Sequence, residues 1–476
     1  MRKAKVVYDL IRALPVVLLV CFVPGYFWSR LLCAAEDQAV RITYSVALSV
    51  TLVPALALAQ IRVLDTGLSF AVAASSVLVV FVAGFAAYMV LGPAKTSGEP
   101  LLPRPAPPGP STLVLLGLAF VFALVGHVLW LPVWLVWAGA SLLVLSGAAT
   151  HLLGKAGPEP DDTGEAHGIA RGASYGAVAR YTLLAGVLLL VLARGYLGPV
   201  IQDWPYLRGD DQYQHTVMTE MMISEGSTAA FMLYPPGIHL MMAEVSHLSG
   251  LEPLDIFAVL IPALLVPPAL ALYALARRIW GWEYGVAAAL FYGVLAGGPY
   301  WYLEHGRYPN IIAAQFLMVL TLSTLFRMYE SPSWRSGVLL ALLGSSVVLY
   351  HQVGSLYLAL LLGITVLLFL PHALLRERGR GIALISWLVP LGLLSAFYAW
   401  ETYDLPQVTG NLLGGQESGR GGEAVSMAIG TKAPESLSSL IEMTSQPVLL
   451  LGLLGALLLL FSPGRMPGAL RATNAT

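Results

Sequence analysis

Residues 208–215 read RGDDQYQH. Two adjacent carboxylates, an arginine and a histidine share this stretch of a chain in which only 11% of residues are charged. Adjacent carboxylates repel, which raises the pKa of one or favours a divalent cation between them. Asp210 and Asp211 can therefore do two kinds of chemistry. One can act as general base toward a hydroxyl within hydrogen-bond reach, or the pair can hold Mg2+ or Mn2+ against a departing phosphate. The residue types leave both open. A third role is structural, because aspartate is a favoured helix N-cap and acidic residues in a first turn complement the helix dipole. His215, one turn after Asp211, can orient it, join a metal site, or stand as an ordinary solvated histidine. Arg208 can meet a phosphate or simply pair with the aspartates.

Other polar residues interrupt the apolar background at separate points. Arg307 and His305 lie in EHGRYPN, residues 304–310. A guanidinium matches phosphate oxygens in a two-pronged geometry, although an arginine at a helix end also snorkels to lipid headgroups. His351 lies in LYHQVGSLY at a break between apolar runs. It is a candidate substrate contact or a hydrogen-bonded helix-end histidine. Tyr234 and His239, in YPPGIH, can line a sugar or acceptor site. Glu401 and Asp404 can add contacts to sugar hydroxyls or form a plain helix-end acidic pair.

These residues need a scaffold, and composition defines it. Hydrophobic residues make up 57% of the 476, and mean hydropathy is +0.74. A soluble domain carries about a quarter charged residues, so most of this surface meets lipid. The apolar runs are long, rich in Leu, Ala and Val, and lack period-two alternation, which excludes a β-barrel. The expected class is an all-α, multi-pass plasma-membrane protein. Thirteen candidate spans lie near 10–33, 39–60, 68–92, 111–128, 131–153, 178–198, 255–276, 285–303, 309–328, 336–350, 353–371, 382–403 and 446–462. Net charge is −1, which gives no basis for nucleic-acid binding. Cys21 and Cys33 suggest neither a disulfide framework nor a metal site. The basic, then apolar N-terminus reads as a retained first span rather than a cleaved signal.

The chain divides into N-terminal spans (1–153), a polar loop (154–177), a core (178–462) and a tail (463–476). Within the core, Arg277 and Arg278, Arg327 and Arg335, Arg376, Arg378 and Arg380, and Arg465 and Arg471 fall in alternate loops. The positive-inside rule makes those loops cytoplasmic and turns 199–252, 304–308 and 404–445 outward. The first half gives two conflicting orientations. Five spans before residue 154 place the N-terminus outside, whereas Arg2, Lys3, Lys5 and Arg12 favour the inside. Loop 404–445 is Gly/Ser-rich and a candidate lid.

In the outer loop 199–252, residues 211–225 have helical spacing. Val217, Met218, Met221 and Met222 form one face, and Gln212, His215, Thr216, Thr219 and Glu220 the other. This predicts an amphipathic helix lying at the membrane surface. Pro235, Pro236 and Gly250 delimit a second expected surface helix.

The order of these motifs resembles the GT-C class of integral membrane glycosyltransferases, especially its bacterial and archaeal members. The resemblance rests on GDDQYQH, YPPGIH, HGRYPN and YHQVG, and covers residues 178–462. The chain lacks the large soluble C-terminal domain of the oligosaccharyltransferase branch. What the resemblance implies is a GT-C-like core with two surface helices in its first large outer loop. It also implies transfer of a hexose or pentose from a polyprenyl-phosphate-linked donor to a glycan, lipid or protein hydroxyl, in cell-envelope glycan assembly. Asp210 or Asp211 would be catalytic, with inversion in a single displacement. Arg307, His305, His351, Tyr234, His239, His215 and Arg208 would face the substrates. The competing reading is a multi-span transporter or lipid-linked-glycan flippase, which would show internal repeats and helices broken near the midplane. A polysaccharide polymerase or ligase and a noncatalytic scaffold are further alternatives.

Overall fold

The computed structural model describes residues 2–33, 36–92, 169–201, 210–228 and 234–403, with Val114 and Leu118 besides. All regular structure among these residues is helical. The expected spans 111–128, 131–153 and 446–462, the loop 154–177, Arg208, Asp404 and the candidate lid 404–445 lie outside them.

The helices are α1 (Arg2–Cys21), α2 (Val23–Leu32), α3 (Gln38–Arg62), α4 (Phe70–Leu91) and α5 (Ile169–Ile201). Then come α6 (Asp210–Glu225), α7 (Gly237–Ser249) and α8 (Pro253–Leu260). The remainder are α9 (Ile261–Trp280), α10 (Trp282–Leu295), α11 (Gly298–Glu304), α12 (Tyr308–Glu330), α13 (Trp334–Tyr350), α14 (Gln352–Arg376) and α15 (Arg378–Tyr403). Six of the described helical segments are long and apolar enough to cross a membrane, or seven if the broken pair α10–α11 counts as one. This makes the chain a membrane protein.

The chain forms two compact units. One comprises Met1–Glu99, Gly195–Leu275 and Trp301–Ala433; the other comprises Pro100–Arg194, Ala276–Tyr300 and Pro434–Thr476. In the second unit, Arg194 donates to the Val294 carbonyl and lies over the Tyr300 ring at 3.6 Å.

The first unit holds every described candidate residue. Its helices begin where side chains supply an acceptor for the orphan N–H groups of a first turn. Asp37 caps α3 by accepting from Val40 N at 2.9 Å. Ser69 and Ser333 cap α4 and α13 in the same way. The Pro24–Gly25 pair follows a break at Phe22 that separates α1 from α2. Gly25 is required there because a Cβ would strike the Ser45 carbonyl, and its N–H donates to Ser49 Oγ at 2.7 Å. Small residues and short hydrogen bonds then join helices, as expected where lipid provides no hydrophobic drive for association. Ser29 meets Ser45 at 2.7 Å, Tyr44 meets Thr324 at 3.1 Å, and Tyr350 donates to the Val50 carbonyl at 2.6 Å.

Arginines close the other ends. Arg327 donates to the Leu32 carbonyl at the end of α2 (2.9 Å), and Arg335 to Gly92 O just beyond α4 (3.0 Å). Arg12 donates to Ser249 O at the end of α7 (3.0 Å), and Arg62 to Glu401 O near the end of α15 (3.2 Å). Each places a cation on the negative pole of a helix. These contacts also order the ends of the unit. The ends of α2 and α4 meet Arg327 and Arg335. At the opposite end, the α3–α4 turn donates Leu68 N–H to Gly226 O, just after α6, at 2.7 Å. Arg12, in the first turn of the first span, meets the end of α7. The start of that span therefore lies with the loop containing α6 and α7.

The second expected surface helix is not on the surface. Residues Gly237–Ser246 of α7 are all buried, packed among α1, α3, α4, α6 and α8. Its boundaries are close to those expected. Pro236 is the N-cap, one residue earlier than the first-helical-position reading, and Gly250 closes the helix at φ +66°. The segment is buried because LMMAEV presents apolar residues on every face, with Glu244 the exception.

Glu244 is fully buried, and neither carboxyl oxygen has a hydrogen-bond partner. Burial pushes its pKa well above the ordinary value of 4.5. Above that value the unfolded chain has released the proton while the folded chain still holds it. Wild-type stability therefore falls as pH rises, by about 1.4 kcal/mol per unit. Glu244→Gln has no proton to release. Its melting temperature should exceed that of wild type by a margin that widens from pH 4.5 toward pH 8. A margin independent of pH would contradict this account.

Candidate functional site

α6 was expected to lie on the membrane with its polar face to solvent, and the structure reverses it. Gln212 is 2% exposed, and His215, Thr216 and Thr219 are equally buried, whereas Val217 is 50% exposed and Met221 is also exposed. The division is not complete: Met222 of the apolar stripe is fully buried, and Glu220 of the polar stripe is exposed beside Tyr213 and Gln214. The threonines satisfy themselves by bonding back along the helix, Thr216 to Gln212 O at 3.1 Å and Thr219 to His215 O at 2.9 Å. This leaves Gln212 and His215 to reach other elements.

Gln212 reaches the end of α11. Its side-chain amide donates to the Glu304 carbonyl at 2.8 Å and the Leu303 carbonyl at 3.3 Å. The turn that follows, His305–Gly306–Arg307, lies directly on the first turn of α6. Gly306 has φ +73°, and a Cβ there would stand 2.6 Å from Gln212 N and 3.0 Å from the Asp211 carbonyl carbon. Only glycine permits both the backbone angle and the approach. Asp210 and Asp211 are the first two residues of α6. They occupy its first turn. Asp211 faces the dipole and the HGRYP turn; the side chain of Asp210 is outside the described residues.

His215 is the hub of a ring cluster. Its Nδ1 is 3.0 Å from His239 Nε2. Its ring lies 5.6 Å from Tyr234 and 5.8 Å from Tyr308, centroid to centroid. Tyr234 in turn meets His351 at 6.4 Å. α7 can bring His239 here because Gly237 lies against the Leu349 carbonyl and the Tyr350 ring, where a side chain would collide. Burial pushes the His215 pKa down to about 4 and lowers that of His239 as well, with the His215 charge adding to the second effect. The Tyr234 hydroxyl is raised by burial and by Asp211, while Arg307 opposes the rise. Asp211 and Arg307 thus act with opposite sign on one phenol. Asp211 also acts on Tyr308, whose hydroxyl is buried and has no hydrogen-bond partner.

The expected residues therefore separate into groups. Asp211, His215, Tyr234, His239, Arg307 and His351 converge. Arg307 is exposed and rests over the Trp301 ring at 4.8 Å. His351 takes the structural role anticipated as its alternative, capping α14 by accepting from Gly354 N at 3.2 Å, while also facing Tyr234. His305 turns away: it is exposed and stacks on Trp301 at 4.2 Å. Glu401 pairs with Arg62 at 3.7 Å, which is the plain helix-end reading. Gln212, Gly306 and Tyr308 were not singled out as site residues. The signal for Tyr308 and Gly306 was present in HGRYPN, and that for Gln212 in its place on the polar stripe with His215. Among the described residues no group of three or more His, Cys, Asp or Glu side chains is arranged to hold a metal ion.

Gly306→Ala should cost at least about 2 kcal/mol, from positive-φ strain plus the collision with α6. Gly92→Ala provides the control. Gly92 has φ +65° but nothing within 4 Å of an added Cβ, so only the strain of about 1 kcal/mol remains. Thermal unfolding in detergent compares them, and equal losses would show that the α6 contact is not tight. Comparison of the chain with models of protein families, with curated proteins and with solved structures finds no match.

Proposed function

We propose that the chain is a membrane glycosyltransferase of GT-C type. It moves a sugar from a polyprenyl-phosphate-linked donor to an acceptor hydroxyl on the outer face of the plasma membrane, with inversion. The observation that carries this reading is the close approach of Gly306 to the first turn of α6, which brings the turn carrying Arg307 to the helix carrying Asp211. Glycosyl transfer needs a carboxylate to take a hydroxyl proton and a cation to receive a phosphate, and it needs them on either side of the anomeric carbon.

In this reading Asp211 is the base and Arg307 meets the phosphate, with Tyr234 and His351 lining the sugar. Asp210 and a divalent cation are alternatives to Asp211 acting alone. The acceptor oxygen bonds to the anomeric carbon as the bond to phosphate breaks, and the electron pair leaves on phosphate.

A transporter or flippase is the second reading. The buried, unpartnered Glu244 favours it, since an ionisable residue among membrane helices marks ion or proton pathways.

Two variants and one flux measurement separate the readings. Asp211→Asn should reduce sugar transfer from polyprenyl-phosphate mannose or arabinose by about 10²-fold or more, with normal expression and melting temperature. Arg307→Gln should raise KM for the donor more than it lowers kcat. Unchanged cell-envelope glycan in the Asp211→Asn strain would reject the glycosyltransferase reading. Substrate uptake into proteoliposomes that Glu244→Gln abolishes would favour the transporter.

A further inference from the structure

Arg30 stands in the last turn of α2 and Arg335 in the first turn of α13. Both reach the last turn of α4. The Arg30 guanidinium lies 5.8 Å from the Tyr88 ring and 5.7 Å from that of Tyr26, and its Nη1 donates to the Tyr26 hydroxyl at 2.9 Å. Arg335 donates to Gly92 O at 3.0 Å and rests over the Trp334 ring at 5.2 Å. Tyr88 and Gly92 are one turn apart, since the Gly92 N–H donates to the Tyr88 carbonyl. Two cations therefore flank one turn of helix, at the end of the unit opposite the loop that carries α6. Among the described residues neither guanidinium pairs with a carboxylate, whereas Arg62 pairs with Glu401 and Arg380 with Glu377. The acids near the end of α2 are committed elsewhere: Asp37 accepts from Val40 N and from the Tyr273 hydroxyl, and Glu36 acts on Arg327. Each guanidinium has five N–H donors, and Arg335 Nε is buried with no acceptor. A donor in that state is costly away from water.

We propose that this end of α2, α4 and α13 binds an anionic phospholipid. Its headgroup phosphate sits on Arg30, with Arg335 as the second cation, and an acyl chain runs along α4. The chemistry fits at each point. A guanidinium fork matches two oxygens of one phosphate. The Tyr26 hydroxyl accepts from Arg30 and keeps its own hydrogen to donate. The cations lie at the head of an aromatic column, in which the Phe27 ring meets Phe81 at 5.4 Å, Phe85 at 5.1 Å and Tyr88 at 5.8 Å. Phe85 and Met89 are exposed on α4, at 44% and 65%, so an apolar track leads along the helix to the charges. That track favours a lipid phosphate over a free one. Tyrosine and tryptophan beside arginine are also what a helix end presents at the boundary of lipid and water. The positive-inside reading turns the loop bearing Arg327 and Arg335 to the cytoplasm, and the cytoplasmic leaflet is the anionic one. The site is separate from Asp211 and Arg307, and it stands whether the chain transfers sugar or not.

The test presents the full chain in detergent with equal amounts of phosphatidylglycerol and phosphatidylcholine, and native mass spectrometry reads which lipid is retained. Wild type should keep phosphatidylglycerol in preference. Arg30→Gln and Arg335→Gln should each weaken that retention about fivefold. Arg380→Gln removes an exposed cation already paired with Glu377, and should change retention by less than about twofold. Excess inorganic phosphate should not displace the lipid. A second measurement needs no variant: phosphatidylglycerol with a photoreactive acyl chain, irradiated with wild type in bilayers, should label residues 81–92. Equal retention of the two lipids, retention unchanged in both Arg30→Gln and Arg335→Gln, or an equal loss in Arg380→Gln would overturn the proposal. So would displacement by inorganic phosphate, which would make this a free-phosphate site, or photolabelling confined to other segments.

Discussion

The site depends on one close approach, that of Gly306 to the first turn of α6. It fixes the turn carrying Arg307 and Tyr308 against the helix carrying Asp211 and His215. The Gln212 amide then ties the same helix to the end of α11 with two further hydrogen bonds. Without that approach the carboxylate and the guanidinium would belong to separate loops. With it their segments meet at one contact, and both act on the Tyr234 phenol, with opposite sign. The remaining ring contacts, from Tyr234 through His215 to His239, follow once α6 has its polar stripe turned inward and Gly237 has let α7 approach α13.

Charge is scarce in this chain, and four of its arginines are used in the same way. Arg12, Arg62, Arg327 and Arg335 each donate to carbonyls at the end of a helix other than their own. An unsatisfied carbonyl away from water is costly, and a guanidinium offers several donors to a helix end that has no capping side chain. The same arginines that mark loop sidedness in the sequence are thus structural parts of the bundle. Arg12 is committed to the end of α7.

Much of the helical frame was legible in the sequence, because long apolar runs have few alternatives in lipid. The caps at Asp37, Ser69, Ser333 and Gly250 carry the usual local signals. The polarity of α6 was not legible. Helical spacing gives two faces and does not say which one packs inward; here Gln212, His215, Thr216 and Thr219 do, together with Met222. The burial of α7 was missed for a related reason. Its two prolines and terminal glycine mark its ends, but only packing by α1, α3 and α4 shows that it is inside. At the candidate site, GDDQYQH and HGRYPN, singled out separately in the sequence, meet where Gly306 packs on the first turn of α6. His305 and Arg307 flank Gly306 in one turn, and both side chains lie against the Trp301 ring. The pairing of His215 with His239 spans 24 residues and had no local signal.

The central claim is that the inward face of α6 and the turn after α11 form a site for a lipid-linked phosphate. A photoreactive polyprenyl phosphate, irradiated with the full chain in bilayers and mapped by mass spectrometry, tests this directly. The account predicts labelling of residues 211–222 and 301–310, suppressed by unlabelled polyprenyl phosphate and weakened by Arg307→Gln. Saturable labelling confined to other segments, with these two unlabelled, would contradict it.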